Sequence, residues 1–153
     1  MAEVLTGVFP VFKNQFKVGK VGETSAETDM VSIAEMETFS VKMDGKAEEW
    51  TPMETEGWIK RLVTSKGFTI SMKGKRCAGD PGNDYIAGLS WKSGRDCNTP
   101  FEWIFPSGGK LAFNAVINVT APGGGDSTNV DSLEFDAMSN GKPTYTPPET
   151  GGA

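Results

Sequence analysis

The chain has 153 residues, enough for one domain that buries roughly 68 to 70% of the surface its unfolded form exposes. Hydrophobic residues at 37% and charged residues at 23% exclude a wholly disordered chain, while 19 glycines and 9 prolines demand many turns and favour β structure. A formal net charge of −5 argues against tight binding to phosphate backbones or anionic lipid, and the absence of histidine removes imidazole bases, His-containing triads and His metal sites.

Residues 1–15 mix apolar and polar types without a period and read as an N-terminal arm. They lack a basic n-region, and Thr6, Gly7 and Pro10 interrupt the apolar stretch, so no signal peptide is expected. No stretch reaches the ~18 apolar residues of a membrane span. The default is synthesis in a cytoplasm, where Cys77 and Cys97 stay reduced as buried or half-buried thiols, with a disulfide between them as the alternative.

Phe16-Lys17-Val18 alternate as a short strand, and the polar residues 19–29 form a loop. From Met30 to Asp44 the apolar residues Val31, Ile33, Phe39, Val41 and Met43 hold the odd positions, which predicts one long strand with an irregularity near Glu35. Asp44-Gly45 supplies a turn, and Lys46 to Glu56 reads as a charged connection carrying Trp50. Thr51-Pro52-Met53-Glu54 resembles a capping box, and Trp58/Leu62 and Ile59/Val63 are helically spaced. Gly57 and the clean alternation of Phe68, Ile70 and Met72 favour a strand instead.

Asp80-Pro81-Gly82-Asn83-Asp84 offers helix-start chemistry, and Tyr85, Ile86 and Leu89 share a face. A helix over residues 84–92 is expected to pack on the outside of a sheet. Three strands follow at Phe101–Phe105, Leu111–Val119 and Leu133–Ala137. Residues 121–129 form a loop, and residues 140–153 an extended tail. The whole predicts a single domain, all-β with one short helix, of two packed antiparallel sheets (a sandwich or barrel) between two arms.

Little in this pattern supports a reaction. Every Gly-Lys lacks the Ser or Thr that a phosphate-cradling loop needs next, so nucleotide hydrolysis is not expected. Neither Asp80, Asn83 and Asp84 nor Asp126 and Asp131 match a calcium loop, and Asp84 fits better as negative charge at a helix start. Carboxylate pairs such as Glu35/Glu37 and Glu48/Glu49 are solvated surface groups before they are a glycosidase acid and base. Trp91 and Trp103 are expected in the core, whereas Trp50 sits among charges and suggests a partner.

The segments EEWTPMETEGW, GFTISMKGKR, GDPGNDYIAGLSWKSG, FEWIFPSGGKLAFNAVINVT, GGGDSTNV and LEFDAMSNGKPTYT, taken in this order, resemble the tail tube (major tail) proteins of long-tailed bacteriophages and prophages over essentially the whole chain. The resemblance implies hexameric rings stacked into a tube through which the genome leaves, in a virion tail assembled in the host bacterial cytoplasm. It implies no catalytic residue, metal or cofactor. The partners implied are further copies, other tail proteins (tape measure, terminator, baseplate or initiator) and double-stranded DNA in non-specific transit.

On that reading Glu48, Glu49, Trp50 and Glu54 are expected to touch a neighbouring subunit. Ser40, Lys42, Asn114 and Asn118, the polar alternates of their strands, are expected to face the lumen. Four strands from each of six subunits, at ~4.8 Å spacing and ~40° tilt, would close a barrel with a lumen ~38 Å wide. The alternatives are a neck or terminator component, a carbohydrate-binding β-sandwich and, last, an enzyme.

Overall fold

The computed structural model describes residues 6–148. Its strands are β1 (Gln15–Gly19), β2 (Met30–Ser32), β3 (Met36–Trp50), β4 (Lys60–Lys75), β5 (Asn98–Ile104), β6 (Lys110–Ala121), β7 (Ser132–Ser139) and β8 (Thr144–Thr146). One helix, α1 (Pro81–Gly88), continues into a 3₁₀ turn at Leu89–Trp91. All the pairings are antiparallel and join the strands into one sheet, in the order β2-β1-β5-β6-β7-β4-β3, with β8 also on β6.

The expected pair of packed sheets is therefore corrected to a single curled sheet. β6 is long enough to pair with β5 along one half and with β7 along the other, so no break divides the strands into two layers. One face of the sheet supplies both walls of the core, including Val18, Ile70, Phe101, Ile117 and Phe135.

The curl follows from a short link. β2 and β3 lie at opposite ends of the strand order, yet only Ile33, Ala34 and Glu35 join them, which holds the two ends within about 15 Å there. The long strand expected over residues 30–44 breaks at this point. Glu35 takes a left-handed conformation (φ 63°), an uncommon state for a residue with a Cβ, so the irregularity read there is a full change of direction. Across the gap the rings of Phe16 on β1 and Phe39 on β3 meet edge to face at 4.8 Å.

Helix α1 pins this link. Asp80 caps the helix, its Oδ2 accepting from the Asn83 amide (3.0 Å) and also from the Ala34 amide (3.1 Å). The fully buried Asn83 donates from Nδ2 to the carbonyls of Ala34 (3.1 Å) and Lys75 (2.9 Å), and its Oδ1 accepts from Arg76 (2.9 Å) and the Cys77 amide (3.0 Å). Gly82 and Gly74 leave no room for a Cβ, because the Ser32 carbonyl lies against one and the Glu35 carbonyl and Met36 Cα against the other.

The helix begins at Pro81, earlier than expected, and it packs on the core face and not on the outside of the sheet. Ile86, Ala87 and Leu89 join the buried cluster, leaving the opposite, polar face of the sheet free of it. Tyr85 lies half-buried beside them, and burial raises its phenol pKa above the ordinary value.

Further expectations are corrected. Trp91 ends the helical segment pointing to solvent, 82% exposed, whereas Trp103 packs against Phe16 as expected and donates to Asn14 (2.9 Å). Asp44-Gly45 is no turn, because the ladder with β4 runs straight through it to the pair Trp50 and Lys60. Part of the expected C-terminal tail is β8, which continues along the same edge of β6 after β7. Residues 1–5 of the N-terminal arm and 149–153 of the tail lie outside the described residues. Cys77 is half-buried and Cys97 buried, both as free thiols.

Removing side-chain volume at the helix separates these roles. Leu89→Ala should cost about 2 to 5 kcal/mol in denaturant unfolding, as expected for a buried leucine, while Trp91→Ala should stay within about 0.5 kcal/mol.

Candidate assembly surfaces

Two surfaces stand out, and both follow from the register of the sheet. The first is the uncovered face of the four adjacent strands β3-β4-β7-β6. Because β3 residues Phe39, Val41 and Met43 pair with Met72, Ile70 and Phe68 on the core side, their alternates project to the other face. Ser40, Lys42, Asn114 and Asn118 are all exposed, and the register places all four on this same face.

Cross-strand rows connect them. One row runs Ser40, Ser71, Asp136, Asn118, with the Ser71 hydroxyl donating to Asp136 at 2.7 Å. The adjacent row contains Lys73 and Glu134, an ion pair at 3.6 Å. Ser71, Lys73, Glu134 and Asp136 were not singled out from the sequence, although the alternation of β4 already put Ser71 and Lys73 out of phase with Ile70 and Met72. Val116 pairs with Met138 here, and both are half-buried, a small apolar spot in a polar field. Lys42 and Lys73 offset Glu134 and Asp136, so these rows show no excess of either sign.

The second surface is the far end of the β3–β4 hairpin. From Lys42 to Lys66 every described position is exposed except Pro52 and Thr55 at the turn, so the ribbon extends beyond the core that holds its base. The residues expected to form one contact group are split. Glu48 and Trp50 lie on one face, Glu49 on the other, and Glu54 in the 3₁₀ turn Met53–Thr55 at the apex. Glu49 pairs with Arg61 (2.9 Å) and Glu48 with Lys46 (3.0 Å), exposed ion pairs that contribute little each.

The apolar residues are the greater signal, and most were missed in the sequence. Trp50 and Leu62 occupy one face of the ribbon, Met43 and Val63 the other, and Met53 and Trp58 the apex at 98% and 79% exposure. A bulge between Lys46 and Ala47, opposite Thr64, changes the phase of the pattern and hides it from simple alternation. Among the described residues no group of three or more His, Cys, Asp or Glu is placed to hold a metal ion.

No protein-family model matches this sequence, and no curated protein does. Solved structures do. A chain described as the tail of an empty gene transfer agent (GTA) particle, computed with helical refinement and C6 symmetry, superposes with a TM-score of 0.71 at 15% identity, over 92% of this chain and 100% of the other. The protein has the fold of a particle-tail chain. A second match, from the virion of a native gene transfer agent particle, gives 0.69 at 16% identity with the same coverage. The resemblance read from the six sequence segments thus holds at the level of the fold.

The hairpin and the core should respond oppositely to truncation on a single strand. In the isolated monomer Ile70→Ala should cost about 2 to 5 kcal/mol, whereas Leu62→Ala, exposed on the ribbon, should stay within about 0.5 kcal/mol by chemical denaturation.

Proposed function

We propose that this protein is a tail tube subunit, a structural virion protein that polymerises as stacked hexameric rings and forms the conduit for double-stranded DNA. The observation that carries this reading is the likeness, along nearly the whole chain, to a tail chain solved with C6 symmetry. The two surfaces supply what such an assembly requires.

A two-stranded ribbon is marginal alone in water, and one with apolar side chains on both faces gains stability when neighbours cover it. Glu48, Glu49, Trp50 and Glu54 then lie at or beside a contact between subunits, with Trp50 the aromatic anchor on its face. The sheet also has unpaired ends at β2 and β3, which a ring would cover. Six copies of β3-β4-β7-β6 supply twenty-four strands, the number that at ~4.8 Å spacing and ~40° tilt gives a lumen ~38 Å wide.

The lining of that lumen is the polar face carrying Ser40, Lys42, Asn114 and Asn118. A conduit for DNA of any sequence needs no base readout and no strong phosphate grip, and a field of hydroxyls, amides and mutually offset charges provides neither. The role is mechanical, and other tail proteins would set where the tube begins and ends.

Negative-stain electron microscopy of concentrated protein, with tail initiators supplied as nuclei, should show tubes or rings. A species that stays monomeric under both conditions would overturn the reading. Trp50→Ala should leave the monomer folded and impair polymerisation. Replacing Ser40, Asn114 and Asn118 with Arg should permit tubes but slow DNA ejection from virions carrying them, most strongly at low salt, since each neutralised phosphate adds to the counterion-release slope.

A further inference from the structure

Two dipeptides of the chain carry the atoms for a spontaneous cyclisation, in which a backbone nitrogen attacks the side-chain carbonyl carbon of the residue before it. They are Asn140-Gly141, the one asparagine of seven that precedes a glycine, and Asp44-Gly45, the one aspartate that does. Glycine in second place matters because it has no Cβ to hinder the approach of its nitrogen. Both dipeptides are exposed, so solvent access does not distinguish them.

Backbone geometry does. Asp44 and Gly45 stand inside the β3 ladder opposite Gly67 and Lys66, with the Ser65 carbonyl 3.4 Å from where a Cβ on Gly45 would stand. A ring closed there would pull both residues out of the extended conformation and off their partners. Asn140 instead follows the last residue of β7, and Gly141 stands at a bend before β8. Gly141 has φ 98°, nothing comes within 4 Å of its Cβ position, and among the described residues its amide has no hydrogen-bond partner. The Asn140 amide donates to the Asn114 carbonyl at 2.8 Å, which anchors the residue without engaging the nucleophile.

We propose that Asn140-Gly141 is a self-modifying site that turns Asn140 into aspartate and isoaspartate, with water the only reagent consumed. Hydroxide removes the Gly141 amide proton, and the nitrogen bonds to Cγ of Asn140. The Cγ–Nδ2 bond breaks, and ammonia leaves with a proton from water, which regenerates hydroxide. Water then opens the five-membered ring. Opening at Cγ leaves aspartate, whereas opening at the main-chain carbonyl leaves isoaspartate, in which the backbone runs through Cγ.

Either product adds one negative charge beside Asn114, at the end of a polar face whose rows show no excess of either sign. Isoaspartate also lengthens the link 140–143 between β7 and β8 by one backbone atom. β8 holds to β6 by three pairs alone, Lys110 with Thr146, Leu111 with Tyr145 and Ala112 with Thr144, so its register depends on that link. The converted chain therefore holds β8 less firmly. This chemistry belongs to the single chain and does not depend on the tail tube reading.

Peptide mapping by mass spectrometry tests it, on the folded protein and on the guanidinium-unfolded chain held at the same mildly alkaline pH. In the folded protein Asn140 should convert ahead of the other six asparagines, mostly to isoaspartate. Its rate should lie within about threefold of that in the unfolded chain, whereas folding should slow isomerisation of Asp44 at least about tenfold. Hydroxylamine, which cuts the chain at such a ring, should cleave the folded protein between residues 140 and 141. Asn140→Gln, which would have to close a less favourable six-membered ring, should keep the fold and lose both signals at this peptide. The proposal is overturned if folding protects Asn140 as strongly as Asp44, if another asparagine converts first, or if hydroxylamine cleaves only the unfolded chain. Amide hydrogen exchange at residues 144–146 should quicken in the converted protein, and unchanged exchange there would overturn the effect on β8.

Discussion

The three residues Ile33, Ala34 and Glu35 constrain more of this molecule than any other segment. They join strands at opposite ends of an open sheet, so the sheet has to curl until those ends nearly meet. From that curl come a core built from one face, a polar face left uncovered, and a seam. The link is itself held from outside, by Asn83 and Asp80 at the start of α1 and by the close approach that Gly74 and Gly82 allow. Asn83 is fully buried and makes four side-chain hydrogen bonds, a satisfied polar hub in which the loss of any partner would leave another group unpaired.

This arrangement divides one long hairpin between two tasks. The base of β3 and β4 belongs to the core, where Phe68, Ile70 and Met72 are buried. Beyond Met43, and as far back as Lys66 on β4, the same two strands continue with their described positions exposed up to the turn. A sheet of this kind, with long unpaired edges and a bare apolar ribbon, carries the features that soluble monomers usually avoid. They become intelligible if other copies cover them, as the proposed function supposes.

The uncovered face of β3-β4-β7-β6 shows a second economy. Its rows alternate hydroxyl, amide and compensated charge, as in Ser40-Ser71-Asp136-Asn118 beside Lys73 and Glu134. Each strand places an apolar residue in the core for every polar one it places outside, so the same alternation that stabilises the monomer lays down this polar face. The net charge of −5 is spread across the chain and not concentrated on these rows.

Local periodicity determined much of this from the sequence. β1, the half of β4 from Phe68 onward, β5, β6 and β7 were legible because their apolar residues alternate, whereas the bulge at Thr64 blurred the first half of β4. Which residues of β3 and β6 face away from the core, Ser40, Lys42, Asn114 and Asn118 among them, was fixed by the same phase, and the helix was announced by Asp80-Pro81. What the sequence could not give is whatever depends on partners distant in the chain. That β3 continues through Asp44-Gly45 depends on the ladder offered by β4, which overrides a dipeptide that by itself favours a turn. That Ile86, Ala87 and Leu89 join the core while Trp91 is exposed depends on how the start of α1 is fastened to the link at Ile33–Glu35 and the end of β4, segments distant from the helix's own last turn. The number of layers was decided only when β6 paired with β5 and β7 at once, because hydrogen-bonded continuity between strands belongs to the assembled sheet and to no single segment of it.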